Sequence, residues 1–330
     1  MSRDPASVSV ALGTHNGASF VREQLLSILA QTRPVDQIVV SDDASADATV
    51  RIIEAVVREH EQSTGRAPEL VVLRNPVALG VTANFEQALG AASGDVVILC
   101  DQDDVWHPDR VGAALRAIQG ERRVDLVASD ARLVDGAGEP LGRTLFDTLG
   151  VDASLQRRLQ SADAFDELLR RNVVTGATVL VTRDLIERST PFPTAWVHDE
   201  WLAMVASVRG GIALVERPLL DYRQHASNQI GVSRLSLRGR FARLGESRTD
   251  RNARLFDRAA QLADRLPRLT DDERVAAAVR EKLAHEQARQ ALPASRVRRL
   301  KPVLRGWRSG GYRRFGLGAQ DALRDLVQPV

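Results

Sequence analysis

Short apolar runs and amphipathic helical stretches alternate along the first hundred residues. Residues 7–12 (SVSVAL) are apolar, rich in β-branched side chains and followed by the polar run Gly13-Thr14-His15-Asn16-Gly17, which predicts a strand opening into a loop. Val21, Leu25, Ile28 and Leu29 recur at i, i+4, i+7 and i+8, an apolar stripe on a helix that ends before Pro34. The same reading predicts a strand at Gln37–Val40, a helix striped by Val50, Ile53 and Val57, a strand at Leu70–Leu73 and a helix over 81–91. Asp95–Cys100 carries a continuous apolar run of strand length, as in a strand covered on both faces. Units alternating in this way predict an α/β fold, a mostly parallel sheet flanked by helices.

Strand signals continue at Val124–Ala128, Thr178–Thr182 and Ile212–Val215, separated by irregular stretches around 135–150 and Pro191–Pro193. From about Leu235 the chain turns into Arg-rich helical sequence, interrupted at Pro267, Pro293 and Pro302. The expected organisation is an α/β domain over residues 1–234 and an Arg-rich α-helical C-terminal extension over 235–330. No internal repeat is visible.

With 330 residues, 44% hydrophobic and 27% charged, the chain has the composition of an ordinary folded protein with a sizeable core. Its net charge of +2 hides an asymmetry: residues 231–330 hold 23 Arg and Lys against 11 Asp and Glu, which leaves 22 against 32 in the rest. A single cysteine, Cys100, allows no intramolecular disulfide and fits a reducing compartment. Neither a leader-like apolar segment at the start nor a run of about 18 apolar residues occurs, so a cytoplasmic protein is expected. The only lysines are Lys282 and Lys301. That removes the P-loop and protein-kinase lysines from the N-terminal domain, and no G-x-G-x-x-G or H-E-x-x-H motif is present.

Ligands of open α/β sheets bind beyond the carboxyl ends of the strands. Three such ends are polar: Thr14-His15-Asn16, Ser41-Asp42-Asp43-Ala44-Ser45 and Asp101-Gln102-Asp103-Asp104. All follow consecutive or near-consecutive strands and can meet in one crevice. Asp101 and Asp103, two apart in a loop, can both reach one hard divalent cation. The alternative is that residues 101–104 cap the helix starting near Pro108, although three carboxylates in four residues exceed what a cap needs.

These motifs, with Asn75, Asn84 and Gly94-Asp95, resemble those of the family 2 inverting glycosyltransferases with a GT-A fold, a Rossmann-like nucleotide-sugar-binding architecture. Trp196-Val197-His198-Asp199-Glu200-Trp201 is similar to the family's acceptor-side acidic motif, and Tyr222-Arg223-Gln224-His225-Ala226-Ser227-Asn228 to its closing loop. The aspartate-rich motif with Trp106, the His-Asp pair and the YRQH-type loop most resemble the rhamnosyltransferase-like branch. The resemblance spans about residues 7–230. It implies a nucleotide-sugar half over about 1–110 and an acceptor half over about 111–234.

The resemblance further implies that Asp42 or Asp43 binds the nucleoside, that Thr14 and Asn16 line its pocket, and that Asp101 and Asp103 hold Mg2+ or Mn2+ against the donor diphosphate. It implies that His225 adds an imidazole to the metal or donates to the diphosphate. Asp199 would be the general base, with Glu200 as the neighbouring alternative. The sequence departs from the commoner DDGS and ED forms in having Ala44 for Gly and His198 for Glu. The implied reaction moves a sugar, rhamnose being one candidate, from a dTDP- or UDP-linked donor to a glycan or lipid-linked glycan. Trp106, Trp196 and Trp201 are offered either as a stacking platform for acceptor rings or as buried packing.

Near the C-terminus, Arg296, Arg298, Arg299, Lys301 and Arg305 precede Trp307, Tyr312, Arg313, Arg314 and Phe315. Basic residues beside aromatics suit an anionic membrane surface, here the inner leaflet. Packing on the acidic N-terminal domain, or a homodimer, is the other reading. Two further functions compete with glycosyl transfer. A sugar-phosphate nucleotidyltransferase would also use a βαβ domain and a carboxylate-bound metal, but wants a lysine near the triphosphate. A basic nucleic-acid-binding protein is disfavoured because Asp257, Asp264, Asp271, Asp272, Glu273 and Glu281 interleave with the basic residues, so no nucleic acid is expected as partner.

Overall fold

The alternating runs fold into a single mixed sheet with helices on both faces. The computed structural model describes residues 6–120, 122–209, 211–225 and 247–330. Among these the strands are β1 (Val8–Thr14), β2 (Gln37–Asp42), β3 (Glu69–Arg74), β4 (Val96–Cys100), β5 (Val105–Trp106), β6 (Leu126–Val134), β7 (Pro140–Thr144), β8 (Val179–Thr182) and β9 (Ile212–Arg223). Their order is β3-β2-β1-β4-β8-β6-β9-β5, with β7 on β6. From β3 to β4 every pairing is parallel. Beyond β4 the sheet departs from the expected pattern, because β8 runs antiparallel to both β4 and β6, and β5 antiparallel to β9. Apolar periodicity reports which residues are covered, not which way a strand runs.

Alternate residues of β4 enter two different cores. Val96, Ile98 and Cys100 pack with Val21, Leu25 and Ile28 of the helix Val21–Leu29, whereas Val97 and Leu99 pack with Phe85, Ala88 and Leu89 of the helix Val81–Ala91. That two-sided cover is why the strand reads as a continuous apolar run. Cys100 is fully buried there, a core side chain.

The C-terminal helices Arg248–Arg265 and Glu273–Gln290 are built into the second of these cores. Leu262, Leu266, Val275, Ala278 and Val279 cluster with Leu168, Trp196 and Trp201. The expected boundary near residue 235 lies outside the described residues. Pro302, expected to interrupt a helix, instead sits inside the helix Arg296–Arg308, near its middle.

A buried charged cluster ties the last helix, Ala319–Val327, to the rest. Asp325, fully buried, accepts from Arg289 Nε at 2.8 Å and from the Tyr312 hydroxyl at 2.8 Å, and also pairs with Arg251. Arg251 and Arg289 hold the Asp325 carboxyl below the usual carboxylate range despite its burial. Removing one member of a buried ion pair strands the other charges, at about 3–5 kcal/mol. Asp325→Ala should therefore lower the unfolding free energy by about that amount in urea titrations. A change under about 1 kcal/mol would show that the cluster is solvated rather than buried.

Candidate functional site

Register brings the three polar loops together. β1 pairs Thr14 with Asp42 of β2 and Leu12 with Cys100 of β4, so the carboxyl ends of three adjacent parallel strands lie level. Their loops open on one cavity of about 580 Å³. Thr14, Asn16, Asp43, Asp101, Asp103, Asp199, Tyr222 and His225 all line it.

Asn16 and Ala44 both adopt left-handed backbone, with φ of 48° and 60°. This costs a non-glycine residue roughly 1–2 kcal/mol. Asn16 offsets it by bonding across the crevice: its Oδ1 accepts from the Ala46 N–H at 2.9 Å, and its own N–H donates to Ser45 Oγ at 2.8 Å. Ala44 has no side-chain polar group to do the same, which explains why glycine suits that position.

The two aspartates of the second loop have different tasks. Asp42 accepts from Thr14 Oγ1 (2.8 Å), Ser45 Oγ (2.6 Å) and the Ser45 N–H (3.0 Å). Its carboxylate is taken up in shaping the loop, and it is not part of the cavity wall; of the two residues expected at the nucleoside, only Asp43 lines the cavity. Asp43 is held by the backbone N–H groups of Leu79 (2.5 Å) and Gly80 (3.0 Å). Gln102 joins the first loop to the third by a two-way amide bond with the His15 backbone, at 2.9 and 3.0 Å. A Cβ at Gly17 would stand 2.1 Å from Gln102 Oε1, so a side chain there would push Gln102 off the His15 backbone.

In the third loop Asp103 Oδ2 lies 2.7 Å from His225 Nε2, and the His225 ring stacks on Phe20 at 4.7 Å. Burial first, and then the charges of Asp103 and Asp199, push the Asp101 carboxyl upward. Asp104 takes no part in the wall. It is buried and accepts from the Arg223 N–H at 3.0 Å, while Arg223 Nε donates to the Asp103 carbonyl at 2.8 Å. These contacts fasten β9, and with it His225, to the acidic loop. Residues 226–228 of the expected closing loop lie outside the described residues.

Asp199, whose charge acts on Asp101, sits in the first turn of the helix His198–Val208. Its Oδ2 accepts from the Gly176 N–H at 2.8 Å and its Oδ1 from the Glu200 N–H at 2.7 Å, while burial raises it to about 6. Glu200 also lines the cavity and reaches the C-terminal helix Arg248–Arg265, where Arg258 Nη2 pairs with it at 2.6 Å. His198 is buried, stacks on Phe85 at 4.1 Å and is pushed by burial down to about 3, so it stays neutral. Among the described residues, no three acidic, histidine or cysteine side chains close into a complete metal cage.

Residues 9–187, more than half the chain, match the sequence profile of glycosyl transferase family 2. The chain belongs to this family. It is 26% identical over 249 residues to the dTDP-rhamnosyl transferase RfbG of Shigella flexneri, covering 71% of this chain and 78% of that one. It is 30% identical over 229 residues to an uncharacterised protein of Mycobacterium tuberculosis, covering 66% of this chain. The chain spans about three fifths, 59%, of the length of that relative. Its fold is shared with S. aureus TarS 1–349, solved with UDP-GlcNAc (TM-score 0.59, 16% identity, 96% of this chain and 89% of that one). It is also shared with a mannosyltransferase of Pyrobaculum calidifontis, solved with GDP-Man and Mn2+ (TM-score 0.50, 20% identity, 96% and 78%). Both are GT-A glycosyltransferases, and the expected fold is the observed one.

In this family 2 chain the tryptophans take the second of their two expected roles, buried packing, and two further features were not expected. Trp106, Trp196 and Trp201 are all buried, at 3%, 6% and 1% exposure, and form no platform for sugar rings. Trp106 carries the buried Arg110 over its ring at 4.1 Å, and the indoles of Trp196 and Trp201 donate to the Arg258 and Ser189 carbonyls. Among residues not singled out, Arg110 lies near the acidic loop and Asn172–Gly176 completes the cavity wall beside Asp199. The second works through a backbone N–H, which leaves no trace in residue type.

Proposed function

We propose that the protein is an inverting, metal-dependent glycosyltransferase that moves a sugar from a dTDP- or UDP-linked donor to a hydroxyl of a glycan or lipid-linked glycan. The observation that carries this reading is one cavity whose wall holds Asp43, Asp101, Asp103 and Asp199 together. The nucleoside would lie against Thr14, Asn16 and Asp43 in the half over about 1–110, and the acceptor against the half over about 111–234.

Residues fit for a divalent cation are present. Asp101 and Asp103 are hard oxygen donors whose mutual repulsion already opposes ionisation of Asp101, a penalty that a cation relieves. An open pair, rather than a closed cage, suits an ion shared with a diphosphate. Asp101 and Asp103, with His225 beside Asp103, would hold Mg2+ or Mn2+, which as a Lewis acid would stabilise charge growing on the departing nucleoside diphosphate.

The chain's own residues supply the rest. A sugar hydroxyl becomes a competent nucleophile when its proton is removed, and a carboxylate raised to about 6 is matched to that task near neutral pH. Gly176 and Glu200 N–H groups fix both oxygens of Asp199, so its remaining lone pairs are aimed rather than free to rotate. Direct attack from the side opposite the leaving group inverts the anomeric carbon without a covalent intermediate. Glu200, ion-paired to Arg258, is the weaker candidate for the base. The likeness to a dTDP-rhamnosyl transferase makes dTDP-rhamnose the first donor to test. In thermal-shift titrations with Mn2+, dTDP-rhamnose should raise the melting temperature more than UDP-glucose, UDP-galactofuranose or GDP-mannose. A panel in which no sugar nucleotide raises it contradicts the reading.

A second reading concerns residues 293–318. Tyr312 and Phe315 are buried, and Arg299 is buried against the Pro293, Ala294 and Gln328 carbonyls, so those side chains cannot meet a bilayer. The helix Arg296–Arg308 buries Val303 but also presents an apolar outer face: Val297, Leu300 and Leu304 are 75%, 56% and 47% exposed, ringed by exposed Arg296, Arg298, Lys301 and Arg305. We propose that this face rests on an anionic inner leaflet, each basic residue contributing about 1 kcal/mol. No described helix is long and apolar enough to cross a membrane. Co-sedimentation with phosphatidylglycerol vesicles should fall with added salt and with Leu300→Asn/Leu304→Asn. Absence of binding at low salt rejects it and leaves the face to a homodimer.

A further inference from the structure

A second, smaller cavity of about 120 Å³ lies between the last helices of the catalytic sheet and the C-terminal helices. It shares Asn172 and Glu200 with the main cavity, so the two adjoin beside Asp199. Four cations line it, Arg170, Arg171, Arg258 and Lys282, against one carboxylate, Glu200. Arg258 and Lys282 belong to the C-terminal helices, so this wall exists only because those helices pack on the catalytic domain.

The charges of the wall are unequally compensated. Arg258 pairs with Glu200 at 2.6 Å and Lys282 with Glu286 at 2.7 Å. Arg170 has Glu167 only at 3.9 Å, and Arg158 already holds that carboxylate at 2.5 Å. Arg171 donates to the Leu149 and Gly150 carbonyls, and no described carboxylate lies within ion-pair distance of it. Its Nε is buried without a hydrogen-bond partner among the described residues. Burial first, and then the adjacent charge of Arg170, hold the Arg171 guanidinium below its usual range. Arg170 is exposed and solvated and Arg171 is half-buried; the two guanidinium groups are neighbours on this cavity, neither has a close carboxylate of its own, and both offer N–H donors to an anion.

We propose that this cavity is an acceptor subsite for an anionic group, a phosphate or carboxylate carried by the acceptor, held by Arg170 and Arg171 beside Arg258. The proposal rests on the glycosyl-transfer reading, since the anion belongs to the same molecule whose hydroxyl meets Asp199. Guanidinium forks match both phosphate and carboxylate in a way that a neutral sugar cannot exploit. The C-terminal helices thereby select acidic acceptors.

Calorimetry on the full chain tests this, with dTDP or UDP and Mn2+ at saturation so that the donor diphosphate site is filled. N-acetylglucosamine 1-phosphate, glucuronate and neutral methyl glucoside are titrated in parallel. At least one anionic sugar should bind tenfold or more tightly than methyl glucoside. The Arg170→Gln/Arg171→Gln variant should lose that advantage while nucleotide binding is unchanged, its melting temperature falling only by the loss of the Arg171 bonds to the Leu149 and Gly150 carbonyls. Arg170→Gln alone, which breaks none of those bonds, should lose part of the advantage at an unchanged melting temperature, and Arg171→Lys should restore part of it. Preference for the 1-phosphate identifies a phosphate-bearing acceptor, and preference for glucuronate an acidic glycan. Equal binding of neutral and anionic sugars, or an advantage that survives the double substitution, overturns the proposal. Loss of nucleotide binding in the unaltered protein would instead overturn the glycosyltransferase reading.

Discussion

Asp199→Asn should bind the nucleoside diphosphate as tightly as the unaltered protein and transfer sugar roughly 10² to 10⁴ times more slowly, the usual loss when a positioned general base is removed. The amide keeps the size of the carboxylate and can still accept from the Gly176 N–H, although its NH2 then loses the bond from the Glu200 N–H, a local cost that leaves the nucleoside side untouched. What it loses is proton affinity. Because burial raises Asp199 to about 6, the active, deprotonated form dominates above that pH and is lost below it. The rate should therefore climb as pH increases through about 6, and the residual rate of the variant should lack that limb. Glu200→Gln removes the partner of Arg258 rather than the base and should cost less. If the Glu200 variant is inert and the Asp199 variant active, the base has been placed one residue early.

Asp101→Ala and Asp103→Ala should each weaken Mn2+-dependent binding of the nucleoside diphosphate more than roughly 100-fold, since loss of an outer partner alone costs about 10- to 100-fold in metal affinity. Asp103 carries a second effect, because its Oδ2 is the group beside His225 Nε2. Both variants should stay folded: Asp104, which fastens the loop to Arg223, is untouched. Metal-independent nucleotide binding should survive in each. Calorimetric isotherms with Mn2+ that match those of the unaltered protein would remove both aspartates from the metal site.

The site was legible where residue type and strand spacing coincide. A covered strand at Val96–Cys100 followed at once by Asp101 and Asp103 announces both a buried element and a charged loop at its end, and the helix at Val81–Ala91 was visible from its pattern alone. Asp42 and Asp43 could not be separated, because alternate side-chain directions at a strand end depend on where the strand stops. β2 continues to Asp42, which turns that carboxylate toward Thr14 and leaves Asp43 for the cavity. The direction of β8 and the role of Gly176 were hidden for different reasons. Strand direction is set by connections that periodicity does not record, and a backbone N–H donor is common to nearly every residue. The helix Arg296–Arg308 departs from the ordinary rule: Arg299 is enclosed by carbonyls while Val297, Leu300 and Leu304 face outward. A hydropathy pattern places Val303 inside correctly but not the enclosed Arg299 or the outward Val297, Leu300 and Leu304.

The central claim is tested most directly by following what becomes of a sugar nucleotide given to the full chain with Mn2+. Glycosyl transfer, to an acceptor or slowly to water, predicts release of nucleoside diphosphate from dTDP-rhamnose or a UDP-sugar, abolished by chelation and by Asp103→Ala. No release from any sugar nucleotide, together with pyrophosphate formed from a nucleoside triphosphate and a sugar 1-phosphate, would contradict it and make the protein a nucleotidyltransferase.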